Sequence, residues 1–457
     1  MANLASERLL DLAPELLELC LTYLPPSDVV SFGQTCRRAN AFIHPSNQTL
    51  WKAAFLHVYD DPNHAWNKLV PTARAQNRSR EAQWSWHEEV RKRGMAFDAV
   101  CQPTNAILLL DPEPIITTLL DVLQTASCSG LPSRNIAFLS RLFETAPNPE
   151  RIVHDYHRDI ESVSLPLQSR LEEDRPVTRS MLEQRAVVPD WASRFHIFYG
   201  MTRREKDSVR SKGSARALVY SWLGTNETSE HGPFLRDGSG MVNWQLLEAT
   251  TSLMHRIFDI ARKLYHYRMP SGFENNYPCC LPPNVSMVED WAGVGRAWIG
   301  TYAFLDYRAL VHYNFADRLE HPTDLGHQEE ACGDLMCLNL VVSQSEEIQN
   351  DPRLQTELPY CKDLPILYFT GSSNNNSTGR LPISVKGFAC LVVGGREVKW
   401  RFVIGYAGTD QWQLEGVQPG GVRSGGIFGL WSHVDHEPNG PIGPFSYFPV
   451  EVCEAVN

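Results

Sequence analysis

Apolar residues follow three rhythms along the chain. Over residues 4–60 they are dense and two-sided, over 61–284 they recur mainly at helical spacing between polar interruptions, and over 285–457 they alternate with period two. In the first segment a helix can start at Pro14, whose fixed φ suits a first helical position, and must stop near Leu24, ahead of Pro25-Pro26. On a 3.6-residue wheel Leu17, Cys20, Leu21 and Leu24 share one face, and Leu12, Leu16, Leu19 and Tyr23 share another. A short helix that is apolar on two sides has more to bury than its own small module can cover, so the second side calls for a partner. Ser27-Asp28 is placed to cap a second helix through Val29, Val30 and Phe32, with Cys36-Arg37-Arg38 near its end. Leu50, Trp51, Ala54 and Phe55 mark a third.

The middle region predicts helices at about 104–126, 134–146, 150–162 and 243–266. The last is the clearest: Asn243 is a fitting N-cap, and Leu247, Thr250, Met254, Ile257, Phe258, Ala261, Leu264 and Tyr265 form one stripe, which reads as core packing. Between 164 and 214 the sequence is charged and irregular, with Arg203, Arg204, Lys206, Arg210 and Lys212 interleaved with Glu205 and Asp207. A nuclear-import or docking patch has this composition, but a solvated helix face or mobile loop is the expectation.

In the third region Trp400, Phe402, Ile404 and Tyr406 alternate with Arg401, Val403 and Gly405, and Phe388 to Val393 precedes them as another strand, with Gly394-Gly395 between as a two-residue hairpin turn. Further strands fit at about 296–304, 308–315, 335–343, 364–370, 412–418, 427–434 and 444–450. Nine short strands with turn signals between them predict an antiparallel β-barrel or sandwich, and with the helices ahead of it the fold class is α+β.

Composition narrows the function. The 457 residues carry 53 acidic and 42 basic side chains, a formal charge of −11 that repels phosphate backbones, so nucleic acid is not expected as a partner. The longest aliphatic run, Ile107 to Leu110, is far below the ~18 residues of a membrane-spanning helix, so no membrane is expected either. MANLASERLL has no basic region followed by a continuous apolar stretch, and the 11 cysteines follow no disulfide-framework spacing. The expectation is a cytoplasmic or nuclear protein with reduced thiols, in which the sequons at Asn47, Asn77, Asn226, Asn284 and Asn376 go unused.

Catalytic motifs give little. There is no Walker A sequence, and the glycine-rich run Gly416 to Gly429 has no lysine and lies between strands; no G-x-S-x-G elbow exists. Cys332 and Cys337 lack a second matched pair and read as small core residues. His433, Asp435, His436 and Glu437 place four possible ligands in five residues, but Pro438, Asn439 and Gly440 beside them mark a polar turn, so no metal and no cofactor is expected.

The first segment resembles an F-box. Ala13-Pro14-Glu15-Leu16-Leu17, Cys20-Leu21, Tyr23-Leu24-Pro25, Asp28-Val29-Val30, Cys36-Arg37 and Leu50-Trp51 follow the family's order of P-x-L-L, a hydrophobic pair, L-P, S-D-hydrophobic, C-[RK] and L-W. Ala13 stands where leucine is common and Cys20 where isoleucine is usual. The resemblance implies a three-helix module that docks a Skp-type adaptor and thereby joins a cullin-RING (SCF) ubiquitin ligase. Leu12, Pro14, Leu16, Leu17, Leu21, Leu24, Pro25, Val29 and Val30 would supply the contact, and Trp51 and Phe55 would close the module's own core. The remainder is similar to large fungal F-box proteins whose C-terminal half looks like the β-barrel of F-box receptors that bind D-type cyclins. Arg296 to Tyr302, Gly416-Val417-Gln418, Gly425 to Trp431 and Gly440 to Phe445 carry that likeness.

The reading that follows is a non-catalytic substrate receptor with a protein target at the barrel mouth. Trp298, Tyr302, Trp412 and Trp431 would provide contact area and Arg401 and Arg423 would pair with carboxylates. Two alternatives remain at this point: a small-molecule-binding barrel that gates the F-box, and a metal-dependent enzyme built on His433 to Glu437.

Overall fold

The structure, a computed structural model, describes residues 9–69, 84–101, 111–127, 132–147, 149–150, 152–153, 189–265, 267–268, 270, 272–273, 289–315, 325–373 and 383–455. The chain divides into two units, residues 1–68 with 73–149 and residues 69–72 with 150–457, so the helices of the middle region are shared between them.

Proline punctuates the first unit. Pro14 opens α1 (Pro14–Leu21) at its first position; Pro25 then takes an extended ψ of 157° and α2 (Pro26–Gln34) begins at Pro26. Ser27 and Asp28 thus lie inside the first turn of α2 and do not cap it from outside, because the proline ring already fixes the entry. Cys36-Arg37-Arg38 starts a helix where the end of one was expected. Cys36 is extended, and its Sγ accepts the Ala39 N–H at 3.5 Å to cap α3 (Arg37–Phe42). The Asn47 side chain accepts the Leu50 N–H at 3.3 Å and caps α4 (Gln48–Val58), which makes four helices where three were expected.

Leu17, Leu21, Val29, Ala39, Leu50, Trp51, Ala54 and Phe55 are buried together as the core of this module, and Trp51 Nε1 donates to the Ile43 carbonyl at 3.2 Å. The unit continues through α5 (Pro62–Leu69), α6 (Trp86–Cys101), α7 (Glu113–Gln124) and α8 (Arg134–Thr145). Asp60, just beyond α4, accepts from the Ser127 N–H at 2.8 Å, the Arg134 N–H at 3.0 Å and the Ser133 hydroxyl, which ties the N-terminus of α8 to the end of α4. The helices expected at 104–126 and 134–146 are α7 and α8, with 102–110 outside the described residues; of 150–162 only 150, 152 and 153 are described.

In the second unit the stretch expected to be irregular is helical from residue 190 on, as α9 (Asp190–Tyr199), α10 (Arg203–Asp207) and α11 (Val209–Val219); residues 164–188 lie outside the described ones. The order comes from Glu205, which is buried and forms a capping box with Thr202. α12 (Trp244–Tyr265) follows Asn243, whose side chain accepts the Leu246 N–H at 3.1 Å. Leu247, Thr250, Met254, Ile257 and Phe258 of its stripe are buried; the side chains of Ala261, Leu264 and Tyr265 are outside the described ones.

Eight strands form the C-terminal barrel: β1 (Ala297–Phe304), β2 (Met336–Val342), β3 (Leu367–Ser373), β4 (Ile383–Val392), β5 (Val398–Tyr406), β6 (Thr409–Gln418), β7 (Ile427–His433) and β8 (Ile442–Pro449). Each pairs antiparallel with the next, and β8 closes on β1, with Phe445 opposite Gly429 on one side and Tyr302 on the other. The strand expected at 308–315 is a helix, α13 (Tyr307–Phe315). The Asp306 carboxylate accepts the Arg308 N–H at 3.0 Å and the Ala309 N–H at 3.2 Å, and buried Leu310 and Tyr313 stand three apart on one face. The hairpin between β4 and β5 spans 393–397 and is longer than two residues; of its glycines only Gly395 has a positive φ, 71°.

Trp298 on β1 and Trp400 on β5 touch at 5.2 Å although their strands are not neighbours, which only side chains inside the barrel can do. Phe369, Phe402, Phe445 and Tyr447 complete this aromatic interior, with Phe402 5.4 Å from Phe369 and 5.7 Å from Tyr447. Room for it is made by glycine: a Cβ at Gly387 would stand 2.4 Å from the Phe369 ring. On the outer face α12 packs on β7 and β8, with Phe258 5.4 Å from Phe448 and His255 5.9 Å from Phe428.

Candidate functional site

The faces of α1 and α2 separate cleanly. Leu17 is 3% exposed and Leu16 is 52% exposed. Leu17, Leu21 and Val29 belong to the module's core, so these three, expected as adaptor contacts, present no surface to a partner. Leu9, Leu12, Leu16, Leu19, Tyr23 and Val30 are exposed, Pro14 with them, and Leu24 and Pro25 are partly exposed. Trp51 and Phe55 are buried, as expected of residues that close the core. Six exposed large apolar side chains on so short a segment form a face that the described residues leave uncovered.

The barrel sorts the six expected target contacts by strand parity and by depth. Tyr302, Trp412 and Trp431 come together at the end where β5 turns into β6, called the upper end below. Trp431 is 5.8 Å from Tyr302 and 5.2 Å from Trp412, and its Nε1 donates to the Ala303 carbonyl at 2.9 Å. Tyr302 and Trp412 are partly exposed and Trp431 is buried. Trp298 lies near the opposite end, fully buried, with Nε1 donating to the Val294 carbonyl at 3.1 Å, so it is a core residue. Arg423 is also at that end, buried in the 419–426 loop in a left-handed conformation with φ of 59°. There Gln418 accepts from Trp400 Nε1 at 3.2 Å and donates to the Ser424 carbonyl at 2.6 Å, closing the barrel's lower end.

Arg401 faces outward, because it alternates with inward Trp400 and Phe402. It is buried all the same. It donates to Glu415, directly opposite on β6, to Glu230 at 2.5 Å, and to the Gln355 carbonyl at 2.5 Å. Lys399, two residues earlier on the same face, also donates to Glu230. Burial would raise the Glu230 carboxyl, but Lys399 and Arg401 hold it down to about 2. Arg401 and Arg423 are therefore buried within the fold, Arg401 on the covered outer wall and Arg423 at the lower end, contrary to the expectation that they meet a target's carboxylates.

A second buried network lies among the helices. His196 on α9 sits between two carboxylates, with Nε2 2.7 Å from Glu205 and Nδ1 2.5 Å from Glu248. Burial alone would lower this imidazole, yet Glu205 and Glu248 outweigh it and push the value up to about 10, while Glu205, which burial would raise, is lowered to about 2. Arg256 stands 3.6 Å from the Glu205 carboxylate.

His433 and Asp435 approach to 3.9 Å, but the four side chains of His433, Asp435, His436 and Glu437 do not converge on one point. Their loop turns His436 onto His231, with ring centroids 3.8 Å apart and nearly parallel, and leaves Glu437 exposed, while Asp435 meets Arg353 at 3.2 Å. Burial and the neighbouring His231 lower His436 to about 4. Among the described residues no three His, Cys, Asp or Glu side chains are grouped as metal ligands. Cys332 and Cys337 sit opposite Ala303 and Ile299, where burial raises both thiols.

Sequence reasoning did not find Glu230, Lys399 and Glu415, nor His196 with Glu205 and Glu248. One signal was present: Lys399 and Arg401 occupy alternate positions in a run that is otherwise apolar, which marks charges under a covering layer.

Residues 9–48, which run from the turn before α1 to the first residue of α4, match the F-box domain family. No curated protein and no solved structure matches the chain. The chain thus carries an F-box domain at its exposed apolar helices, ahead of an eight-stranded antiparallel barrel.

Proposed function

We propose that this protein is the substrate-recognition subunit of an SCF ubiquitin ligase. F-box domains typically bind Skp-type adaptors in cullin-RING ligases. The observation that carries the reading is the uncovered face of Leu9, Leu12, Leu16, Leu19, Tyr23 and Val30 on the matched segment. Burying each such side chain is worth about 1.5–3 kcal/mol, enough in sum for a stable docking contact. The barrel then captures a protein target at its upper end, where Tyr302 and Trp412 are within reach of solvent. No bond is made or broken by this chain: holding the target raises the effective concentration of its lysines near the conjugating enzyme. Degradation of the target and a cytoplasmic or nuclear setting belong to the same proposal. The likeness to fungal F-box proteins and to receptors of D-type cyclins is supported by the barrel strands that its segments occupy, β1, β6, β7 and the start of β8.

The test is co-purification of a Skp-type adaptor with the full chain. Leu16→Asp with Leu19→Asp, both exposed in the wild type, should abolish capture and leave the helical circular dichroism unchanged. Capture that persists in this folded double variant would sink the reading.

A further inference from the structure

The charge at the upper end of the barrel has the sign opposite to the one expected. Its described connections, 302–315, 325–336, 406–412 and 433–442, hold seven carboxylates (Asp306, Glu329, Glu330, Asp334, Asp410, Asp435 and Glu437) and one arginine, Arg308. Two cations of flanking elements are already engaged there: Arg353 stands 3.5 Å from Asp410 and 3.2 Å from Asp435, and Lys386 2.7 Å from Asp410. Arg380 belongs to the 374–382 connection, outside the described residues; counted with Arg308, Arg353 and Lys386 it still leaves carboxylates in excess. A carboxylate brought here would meet repulsion and a cation would meet attraction.

The aromatic groups agree with that sign. Tyr302 and Trp431 are set at 77°, Trp412 and Trp431 at 88°, and Trp412 and His433 at 83°. Rings at right angles make a corner that presents π-faces in more than one direction, the arrangement that surrounds a cation with negative quadrupole. Below the corner, inside the barrel, Tyr447 stands opposite Gly300 and Ile427, and its hydroxyl is fully buried with no hydrogen-bond partner among the described residues. A buried hydroxyl left unpaired has lost its water without compensation, and a donor that reaches it recovers this.

We infer that the upper end of the barrel recognises a primary ammonium group of the target, carried on a lysine side chain or a chain's α-amine, with Tyr302, Trp412 and Trp431 as its aromatic corner and the Tyr447 hydroxyl as its acceptor. This rests on the receptor reading and names the chemistry that the receptor takes. Both sources offer the same three N–H donors and one positive charge.

The test uses the immobilised full chain and four pools of degenerate peptides. Three have blocked termini and a fixed central Lys, Nε-trimethyl-Lys or Glu; the fourth has a central Ala and a free α-amine. The Lys pool should be retained about tenfold better than the Glu pool, a difference of about 1.4 kcal/mol. Retention of the Ala pool at the level of the Lys pool assigns the α-amine as a source, and retention at the level of the Glu pool confines recognition to the side chain. Asp435→Asn with Glu437→Gln, which leaves the core untouched, should shrink the preference, and Trp412→Ala should remove it. Tyr447→Phe should weaken the Lys pool and spare the trimethyl-Lys pool, which has no N–H to donate. Equal retention of Lys and Glu, retention of none, or a preference that survives Trp412→Ala overturns the inference, and indifference of the Lys pool to Tyr447→Phe overturns the primary-ammonium assignment. Adaptor capture measured on the same preparations separates the two levels. A wild-type chain that takes the adaptor but shows no charge preference keeps the receptor reading and loses this one.

Discussion

Two regions, the F-box segment and the covered outer wall of the barrel, break the usual sorting of side chains in opposite ways. The F-box segment puts apolar groups outside, with Leu16, Leu19 and Tyr23 more than half exposed, and the barrel wall puts charges inside, with Glu230, Lys399, Arg401 and Glu415 all buried. The difference lies in what each exception meets. Every one of the four buried charges has an opposite charge within the same unit, at hydrogen-bonding distance. The exposed leucines have no cover among the described residues. A buried charge with its partner is complete, whereas an exposed apolar face is stable only in the sense that something else can cover it. One exception is thus architecture and the other is an open apolar face, the one proposed above to take the adaptor, although a burial scale alone marks both as anomalies.

The largest effect that can break this contrast is expected at Arg401. Arg401→Leu keeps the bulk of the side chain and leaves Glu230 and Glu415 facing each other with Lys399 alone. Loss of one partner from a buried charge network costs about 3–5 kcal/mol. Hydrogen exchange on the full chain should then show β5 and β6 unprotected, with α1 to α4 as protected as before; protection unchanged in both places would mean that the network contributes nothing to the barrel. Next in size is the pair Leu17→Ala and Leu16→Ala. The buried residue should cost about 2–5 kcal/mol of module stability and its exposed neighbour less than about 0.5, by urea denaturation followed on α1 to α4. Equal losses would refute the division of this helix into a core face and an exposed face.

These two regions were also unequally legible. Proline positions and the 3.6-residue wheel gave α1 its start and its two apolar faces, because both signals are local. The wheel alone did not say which face was core: it grouped Cys20 with Leu17 and Leu21, yet Cys20 is exposed and the two leucines are buried. In the barrel, period two gave eight strands, with bounds within about three residues of those observed except at the start of β4, Ile383 where 388 was expected, and it gave the alternation of Trp400 and Phe402 with Arg401. It could not give depth along the strand, so Trp298 and Trp431, both inward, were treated alike although they lie toward opposite ends. Nor could it give partners that arrive from far away: Glu230 is 171 residues from Arg401, and nothing near Arg401 in sequence announces that a carboxylate will cover it. The strand expected at 308–315 failed for a simpler reason, since Asp306 is a cap and the apolar residues behind it satisfy both periods.

The last effect, no more than about 1.4 kcal/mol for each pH unit, sharpens the contrast by asking whether the second buried network is also complete without a partner. The His196 imidazole is raised from 6.5 to about 10 by Glu205 and Glu248, so the folded state holds a proton that the unfolded chain releases above 6.5. Its contribution is therefore full below pH 6.5 and is lost as pH rises through about 10, at no more than about 1.4 kcal/mol per pH unit for one proton. Glu205, lowered from 4.5 to about 2, runs the other way: its contribution is present above pH 4.5 and lost as pH falls through about 2. Between those limits, from about pH 4.5 to 6.5, the triad should leave stability flat. Denaturation midpoints of the full chain between pH 6.5 and 9.5, followed on α9 to α12, should decline for the wild type and stay level for His196→Gln, which keeps hydrogen bonding without the proton. Parallel pH profiles for the two would show that the carboxylates do not hold His196 charged, and the inward charges of this unit would then owe their burial to packing and not to pairing.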